Sequence, residues 1–353
     1  MDRYCLRQGL PVIADGPDIY VGLTPPYGIL IEDAPGYLAP LLAHASELRT
    51  PAELQAHARD LGLSAEDAQD LVAELIGSAI LTTERVDRSA RYSRHDLYYA
   101  LAHEGSASRS DVLATSRVGL VGVGGIGTNV ATQLIAAGVG YLRLFDGDIV
   151  EPSNMTRQFL FDEADFGRLK VEAAREHLLA KNSAAQVVAD TGRADGVESL
   201  MRLFADVDVV IVSADTPQLI ADWANQASLR TMTPFTCAGY QDTRGLVGPM
   251  ILPGDGPCLA CAAASDGVGA AQARVDGRIA DIVNLNAAYQ APSFGPLNAM
   301  VASAAVSDVL RLLMGLRPRT AGRRLVLDSL TFESSFESYA AAPDCLACAP
   351  RAA

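Results

Sequence analysis

Apolar residues form short runs with little polar alternation through the middle of the chain, and helix-like stretches separate these runs. The clearest are RVGLVG at 117–122, YLRLFD at 141–146 and VDVVIVS at 207–213. Strands that are apolar on both faces are typical of parallel sheets covered by helices on either side. The alternation predicts an α/β fold with a doubly wound, Rossmann-like sheet, which we assign to residues 117–353.

The first 85 residues follow a different pattern. A capping box at Thr50 and Glu53 and an N-cap at Ser64 predict two helices. Strand-like runs lie at 19–23, 28–33 and 79–83. Together these elements predict a small winged-helix-like module over residues 1–85. The polar, arginine-containing segment 86–116 is predicted to form a linker and an arm.

The helical part of this module is acidic. Residues 51–80 carry six carboxylates against one arginine, Arg59. Such a surface repels the phosphate backbone, which disfavours DNA binding. A peptide that adds a strand to the sheet edge is a better ligand for this shape. A structural role without any ligand remains open, because a fold does not determine a function.

The charge and hydropathy of the whole chain exclude other classes of partner. Its formal charge is −14, with no basic stripe, so we expect no nucleic-acid partner. The longest weakly polar run, 295–315, is interrupted by Asp308 and Arg311, which predicts a packed helix rather than a membrane span. The N-terminus lacks the apolar run of a secretory signal. We therefore expect a cytoplasmic protein without a membrane partner.

A glycine-rich turn between a predicted strand and helix carries the first candidate chemistry. Gly122, Gly124 and Gly127 complete a G-x-G-x-x-G pattern, and the helix start can offer backbone N–H groups to phosphate. Asp146 ends the next strand, where its carboxylate can accept hydrogen bonds from ribose hydroxyls. These two features fit an NAD-dependent dehydrogenase as well as an ATP-using enzyme.

Three charged residues further along the chain favour ATP. A triphosphate carries about four negative charges and needs cations, for which Arg157 and Lys170 are suitable. Asp215 follows a buried strand, where ligands bind in α/β sheets, and could hold Mg²⁺ between phosphates. Taken singly, these residues could be surface charges or a helix cap. As a set they favour ATP with Mg²⁺ over a dinucleotide.

Four cysteines form two CxxC pairs. Cys258 and Cys261 are separated from Cys345 and Cys348 by 83 residues. Four thiolates are a common ligand set for tetrahedral Zn²⁺. Because thiolates fill every position and leave none for water, the predicted zinc is structural and not catalytic.

These motifs together resemble those of the superfamily of ubiquitin-activating, ThiF, MoeB and HesA proteins. The resemblance runs from about Arg91 to the C-terminus and rests on GxGGIG, FDGD, N-x-x-R-Q, GRLK, SAD and the two CxxC pairs. Within the superfamily, the chain is similar to the peptide-modifying branch of microcin C and pantocin A biosynthesis. That similarity rests on RYSRH, TRQFLF, AGY, VGPM, PGDGPCLAC and PSFGPLNAMVA.

The resemblance implies a role for each matched residue. The glycine loop would face the phosphates, Asp146 the ribose, and Asp215 the Mg²⁺. Arg94 would reach the nucleotide of a partner subunit, which implies a homodimer. The catalytic set is then Arg157, Lys170, Asp215 and Arg94, and the nucleotide-binding set is Gly122, Gly124, Gly125, Gly127, Asp146, Asp148, Asn154 and Gln158.

The resemblance also implies an activity. It is ATP-dependent adenylation or phosphorylation of a carboxyl or carboxamide group on a ribosomal precursor peptide, in the biosynthesis of a peptide-derived antibiotic. Residues 1–85 would clamp the leader of that peptide. Residues 266–292 contain no cysteine, so we expect no protein thioester. The alternative is a sulfur-carrier adenylyltransferase of the MoeB or ThiF type, which normally lacks a clamp of this size.

Overall fold

The structure is a computed structural model that describes residues 2–83, 85–102, 110–264 and 291–348. The chain forms two compact units, Met1–Ser110 and Asp111–Ala353. The segment 86–116 extends across the boundary between these units, so its assignment as a linker and arm stays a prediction. The segment 266–292, without a cysteine, lies almost entirely outside the described residues.

The first unit combines two small antiparallel sheets with helices. Its elements agree with the predicted strands at 19–23, 28–33 and 79–83 and with both predicted helices, and they add two strands and two helices that the sequence pattern missed. One sheet pairs β1 (Cys5–Leu6) with β5 (Leu81–Thr82), and the other has the order β2 (Val12–Asp15), β3 (Asp18–Val21), β4 (Ile29–Ile31). The helices are α1 (Leu38–His44), α2 (Pro51–Asp60), α3 (Ala65–Gly77) and α4 (Ser93–Ala102).

Local capping explains why α2 and α3 begin where they do. The Thr50 hydroxyl accepts the Glu53 N–H at 3.2 Å, and the Glu53 carboxylate accepts the Thr50 N–H at 2.7 Å. Ser64 accepts the Asp67 N–H at 3.1 Å in the same way. Each cap satisfies a helix-end donor that would otherwise lack a partner, a contribution of about 1 kcal/mol. The predicted capping box is therefore confirmed.

The second unit is built on one eight-stranded sheet with the order β13-β12-β11-β10-β9-β6-β7-β8. Its strands are β6 (Arg117–Val121), β7 (Tyr141–Phe145), β8 (Gln186–Asp190), β9 (Val209–Val212), β10 (Phe235–Gln241), β11 (Arg244–Ile251), β12 (Arg323–Asp328) and β13 (Ser334–Ser338). Its helices are α5 (Ser110–Thr115), α6 (Gly125–Ala137), α7 (Lys170–Lys181), α8 (Val197–Phe204), α9 (Ile220–Thr231), α10 (Leu259–Ala264) and α11 (Gly295–Leu313).

The strand directions confirm the doubly wound α/β fold. The five strands from β10 to β8 in the sheet order are parallel, and β11, β12 and β13 extend the sheet antiparallel. The chain passes from β6 outward to β7 and β8, then returns to the other side of β6 as β9. Such a reversal opens a crevice between the carboxyl ends of β6 and β9, which is where open α/β sheets bind ligands.

Helix α11 is a core helix of the second unit. By length and composition it could cross a membrane, and 44% of an apolar stretch of 18 residues in it is buried inside the protein. It packs against α6, β10 and β11. The buried carboxylate of Asp308 accepts hydrogen bonds from the Thr320 N–H at 2.8 Å and the Thr320 hydroxyl at 2.6 Å. This satisfied charge fixes the helix to the following segment, in agreement with the predicted packed helix.

Candidate active site

A cavity of about 530 Å³ lies at the carboxyl ends of β6 and β9. It is lined by the glycine loop after β6, the acidic turn after β7, the segment after β8 and the turn after β9. Four successive strand ends therefore contribute to one crevice, as the strand order requires. A concave site of this size suits a nucleotide-sized ligand.

The glycine loop has the geometry that phosphate binding needs. Gly122 has φ +91°, which a residue with a side chain rarely adopts, and a Cβ on Gly127 would lie 2.0 Å from the Gly122 carbonyl oxygen. Apart from its chain neighbours, no described residue lies within 4 Å of the place where a Cβ on Gly124 would project, so this side of the loop is open in the described structure. Helix α6 begins at Gly125, and no side chain in the described part of the chain caps it. Its first N–H groups and its dipole are thus available to an anion.

Asp146 is fixed by backbone groups on both sides. One carboxylate oxygen accepts the Val123 N–H of the glycine loop at 2.6 Å, and the other accepts the Asp148 N–H at 2.8 Å. The carboxylate lines the cavity and is half-buried. Its remaining lone pairs can accept hydroxyl donors, so the structure places Asp146 where a ribose contact is chemically reasonable.

Asp148 holds two cations at the cavity wall. Its carboxylate lies 3.1 Å from the Lys170 Nζ and 3.0 Å from an Arg193 guanidinium nitrogen. Burial alone would raise the pKa of Asp148, but Lys170 and Arg193 outweigh burial and hold that pKa below its usual value. Lys170 is only 7% exposed at the start of α7, whereas the Arg193 side chain is 78% exposed. Both cations are therefore held at the cavity wall by the same carboxylate, that of Asp148.

The three residues of the N-x-x-R-Q motif differ in position: Asn154 stabilises a turn, whereas Arg157 and Gln158 lie at the cavity. The Asn154 side-chain oxygen accepts the Glu151 N–H at 3.1 Å and closes a 3-10 turn. Asn154 is buried and is not among the residues that line the cavity, so its place in the nucleotide-binding set stays a prediction. Arg157 and Gln158, on the turn that follows, both line the cavity.

Two amides beside the glycine loop have buried oxygens that find no hydrogen-bond partner among the described residues. These are Oε1 of Gln158 and Oδ1 of Asn298, in side chains 2% and 1% exposed. Asn298 lies in the first turn of α11, and a Cβ on Gly125 would meet its side-chain nitrogen at 2.2 Å. Unsatisfied buried acceptors are rare in proteins. Both belong to residues that line the cavity, which is consistent with a site that takes a polar ligand.

The turn after β9 carries a carboxylate at the cavity. Asp215 is exposed and lines the cavity. The hydroxyl of Ser213 donates to the Gly122 carbonyl at 2.9 Å, which ties this turn to the glycine loop. Carboxylate oxygens are ligands that Mg²⁺ prefers, and this one lies beside the glycine loop. The residues present therefore fit the predicted ATP and Mg²⁺.

The four predicted metal ligands converge on one point. The Sγ atoms are 3.8 Å apart for Cys258 and Cys261, 3.7 Å for Cys258 and Cys345, and 3.5 Å for Cys261 and Cys348. All four sulfurs lie within 4.8 Å of one another. A tetrahedron with Zn–S bonds of about 2.3 Å has edges of about 3.8 Å. The cluster therefore fits a tetrahedral zinc ion, and it leaves no open position for catalysis.

The thiols of this cluster differ in acidity. Burial raises the pKa of the Cys258 thiol. Burial would also raise that of Cys345, but the N–H groups of Cys348 and Ala347 outweigh it and lower the pKa to about 7. Backbone donors of this kind stabilise thiolate, the form that binds a metal.

The structure brings most of the predicted site residues together. Gly122, Gly124, Gly125, Asp146, Asp148, Arg157, Gln158, Lys170 and Asp215 all line the cavity. Gly127 lies behind them and allows the loop to close on itself. Arg94 is exposed on α4 of the first unit, and its role across a dimer stays a prediction. The sequence reasoning assigned no role to Arg193, Tyr240, Ser293 and Asn298, although Tyr240 lies in the motif AGY and both Ser293 and Asn298 lie in PSFGPLNAMVA.

Residues 92–347 match the ThiF family, which is more than half of the chain. The chain belongs to the ThiF family. The superfamily resemblance seen in the glycine loop and the CxxC pairs is thereby confirmed. The first 91 residues lie outside the family match.

Two curated ThiF-type relatives are adenylyltransferases. The Bacillus subtilis sulfur carrier protein ThiS adenylyltransferase is 30% identical over 233 residues, which cover 64% of this chain and 62% of the relative. The Escherichia coli molybdopterin-synthase adenylyltransferase is 26% identical over 258 residues, which cover 73% of this chain and 95% of the relative. The matched part of the chain thus spans less than two thirds of the Bacillus protein.

Solved structures match almost the entire chain. Escherichia coli MccB, crystallised with AMPCPP and MccA, has a TM-score of 0.80 at 24% identity and covers 98% of this chain and 99% of its own. PaaA has a TM-score of 0.73 at 24% identity, covering 95% of this chain and 100% of its own. At this identity the matches show the fold, and that fold includes the small first unit as well as the Rossmann-like sheet.

Proposed function

We propose that this ThiF-family protein is an ATP-dependent adenylyltransferase that activates a carboxyl or carboxamide group on a ribosomally made precursor peptide. The observation that carries the nucleotide part is the cavity at the carboxyl ends of β6 and β9. It combines an uncapped helix start, a fixed carboxylate at Asp146 and cations at Arg157 and Lys170. The adenylyltransferase names of the curated relatives support the same chemistry.

The first unit supports a peptide substrate over a sulfur carrier protein. The Escherichia coli molybdopterin-synthase relative is matched over 95% of its own length by only 73% of this chain, so this chain contains a module that the match leaves out. MccB, whose structure includes MccA, matches 98% of the chain. In the described part of the first unit, β4 pairs with β3 alone and exposes Ile29 and Leu30. The leader of the precursor peptide would add a strand at that edge. The modified peptide would then be an intermediate in the biosynthesis of a peptide-derived antibiotic.

Adenylation of a carboxyl substrate requires no general base from the protein. The carboxylate is ionised at neutral pH, and one of its oxygens attacks the α-phosphorus of ATP. The bond from that phosphorus to the bridging oxygen breaks, and pyrophosphate leaves with the electron pair. Arg157 and Lys170 stabilise charge on the phosphoryl oxygens, while α6 holds the phosphates in line. Mg²⁺ at Asp215 would supply further positive charge when bound.

The test offers two acceptors to the purified protein with ATP and Mg²⁺. One is a precursor peptide encoded beside the gene, and the other is a sulfur carrier protein of the ThiS or MoaD type. We expect the reaction with the peptide, and not the reaction with the carrier protein, to release pyrophosphate and to yield a peptide that carries AMP or has rearranged. ADP instead of pyrophosphate would indicate phosphorylation, and turnover with the carrier alone would favour the sulfur-carrier alternative. The absence of nucleotide turnover with either acceptor would contradict the enzyme proposal.

Peptide clamping is tested separately by the binding of a fluorescent leader peptide. Leu30→Asp places a charge on the edge strand β4 and should weaken binding at least about tenfold. The matched control is Leu330→Asp, at a residue that is 74% exposed in the second unit, which should leave leader binding unchanged. Equal effects of the two substitutions would exclude β4 as the binding edge.

A further inference from the structure

Helix α9 carries a polar residue on its buried face. Most of that face is apolar or small: Ile220, Ala224 and Ala227. Asn225 is only 3% exposed there. Its Oδ1 accepts the N–H of Leu259 at 3.0 Å. A buried amide costs free energy unless it is hydrogen-bonded, so this contact defines how α9 and the Leu259 segment meet.

Leu259 directly follows Cys258 and lies between the two ligands of the first CxxC pair. It is also the first residue of α10, and its N–H is one of the helix-start donors that have no partner within the helix. Asn225 thus caps α10 from a neighbouring helix. Groups that orient metal ligands from outside the ligand shell typically change metal affinity by 10- to 100-fold when they are removed.

The same helix reaches the nucleotide cavity. Ile220, the first residue of α9, lines the cavity and follows the turn that carries Asp215. Ile220 and Val121 belong to one buried apolar cluster with Cys258, Cys261 and Cys345. Residues of the cavity wall therefore belong to the same buried apolar cluster as the metal ligands. Asn225 lies on α9, the helix that extends from the cavity to this cluster.

We propose that Asn225 is the positioning residue that ties the four-cysteine metal site to the nucleotide cavity. Its hydrogen bond to Leu259 holds the first CxxC pair in the geometry that receives zinc. Through α9, the occupied metal site then fixes the position of Ile220 at the cavity wall. The coupling half of this proposal rests on the nucleotide-binding function proposed above, and the metal half does not.

The metal half is tested with Asn225→Leu, which keeps the size of the side chain and removes the acceptor. We expect the zinc dissociation constant, measured by competition with a chromophoric chelator, to rise about 10- to 100-fold. The Co²⁺-loaded variant should also show shifted ligand-field bands, which a change in stability alone would not produce. The matched control is Ser228→Ala, a fully buried polar residue of α9 whose hydroxyl donates to the Thr233 carbonyl at 2.6 Å. The control should lower Tm without altering zinc affinity, and equal effects of both substitutions would overturn the proposal.

Should Asn225→Leu fail to fold, amide hydrogen exchange of the wild-type protein decides the same question. We expect the Leu259 N–H to be protected both with zinc and after chelation, because Asn225 holds it independently of the metal. Loss of all protection on chelation would mean that the metal organises this segment, and would overturn the role of Asn225.

The coupling is tested by the binding of AMPCPP to zinc-loaded and zinc-depleted protein. We expect zinc depletion to raise the dissociation constant of AMPCPP, and AMPCPP to lower the dissociation constant of zinc by the same factor, because the coupling of two binding equilibria is reciprocal. Independent binding of the two would overturn the coupling. If AMPCPP bound neither form, the proposed function would fail, while the zinc measurements on Asn225→Leu would still stand.

Discussion

The second unit holds two candidate sites that are organised in opposite ways. In the cysteine cluster, four identical ligand atoms face one another at distances that suit a single ion. In the nucleotide cavity, backbone groups set the shape, while Lys170 and Arg193 are paired with a protein carboxylate, Asp148. The first site is arranged for a permanent occupant, whereas the second keeps its cations satisfied between ligands. The predictions below test this contrast, from the largest expected effect to the smallest.

Removal of one metal ligand should have the largest effect. Cys345→Ser leaves three thiolates, and structural zinc contributes folding free energy directly. We expect loss of bound zinc and a fall in Tm of more than about 10 °C, measured by metal analysis and thermal unfolding. Cys237→Ser, at a cysteine outside the cluster, should retain zinc. A stable, fully active Cys345→Ser protein without zinc would refute the structural role.

Loss of a cavity charge should affect activity and not folding. Arg157→Ala and Asp215→Ala remove groups that would stabilise the transferring phosphoryl group, so turnover should fall by at least about a hundredfold. Tm, zinc content and leader binding should remain close to wild type. Arg175→Ala, at an exposed arginine of α7 outside the cavity, is the matched control. If leader affinity fell together with turnover, the assignment of binding and catalysis to separate units would be wrong.

A methyl group at the back of the glycine loop should affect both folding and nucleotide binding. Gly127→Ala brings a Cβ to 2.0 Å from the Gly122 carbonyl oxygen, so the loop must move. We expect a loss of about 1–3 kcal/mol in the free energy of unfolding, with weaker AMPCPP binding. Gly239→Ala is the matched control, because among the described residues only its own chain neighbours come within 4 Å of the new methyl group, and it should leave both measurements unchanged. A normal nucleotide affinity in Gly127→Ala would show that the loop does not contact the phosphates.

The smallest expected effect is that of Asp148, the carboxylate that pairs with Lys170 and Arg193, on the free energy of unfolding. Asp148 has a lowered pKa in the folded state, so its ion pairs stabilise the fold above the unfolded-state pKa of about 3.9 and lose that contribution as the pH falls through the folded-state pKa. The carboxylate is half-exposed, and the contribution at pH 7 should be below about 1 kcal/mol. Urea unfolding of Asp148→Asn and wild type should therefore differ slightly at pH 7 and converge below about pH 4. A constant difference across this range would exclude the ion pairs as its source.

The sequence predicted the parts of the site that depend on local pattern. The glycine loop, Asp146 and the cysteine pairs follow from strand-turn-helix order and from ligand spacing, and the structure brings them together. Arg193 was missed because nothing near it in the sequence indicates that β8 lies beside β7, with its end next to Asp148. Asn225 was missed for a related reason. A single asparagine in a helix has no local signal that its partner is an N–H more than thirty residues later.

The cysteine cluster also acts on the unfolded chain. Cys258 and Cys345 are 87 positions apart, so a bound ion closes a long loop that includes α11, β12 and β13. By analogy with a covalent bridge over such a loop, restriction of the unfolded chain is worth about 4–5 kcal/mol. Unlike a disulfide, this cross-link can be opened by a chelator under mild conditions. A single protease cut in the exposed turn at Leu330 would then produce two fragments whose association depends in part on the metal, which makes chelation a reversible way to loosen the C-terminal part of the sheet.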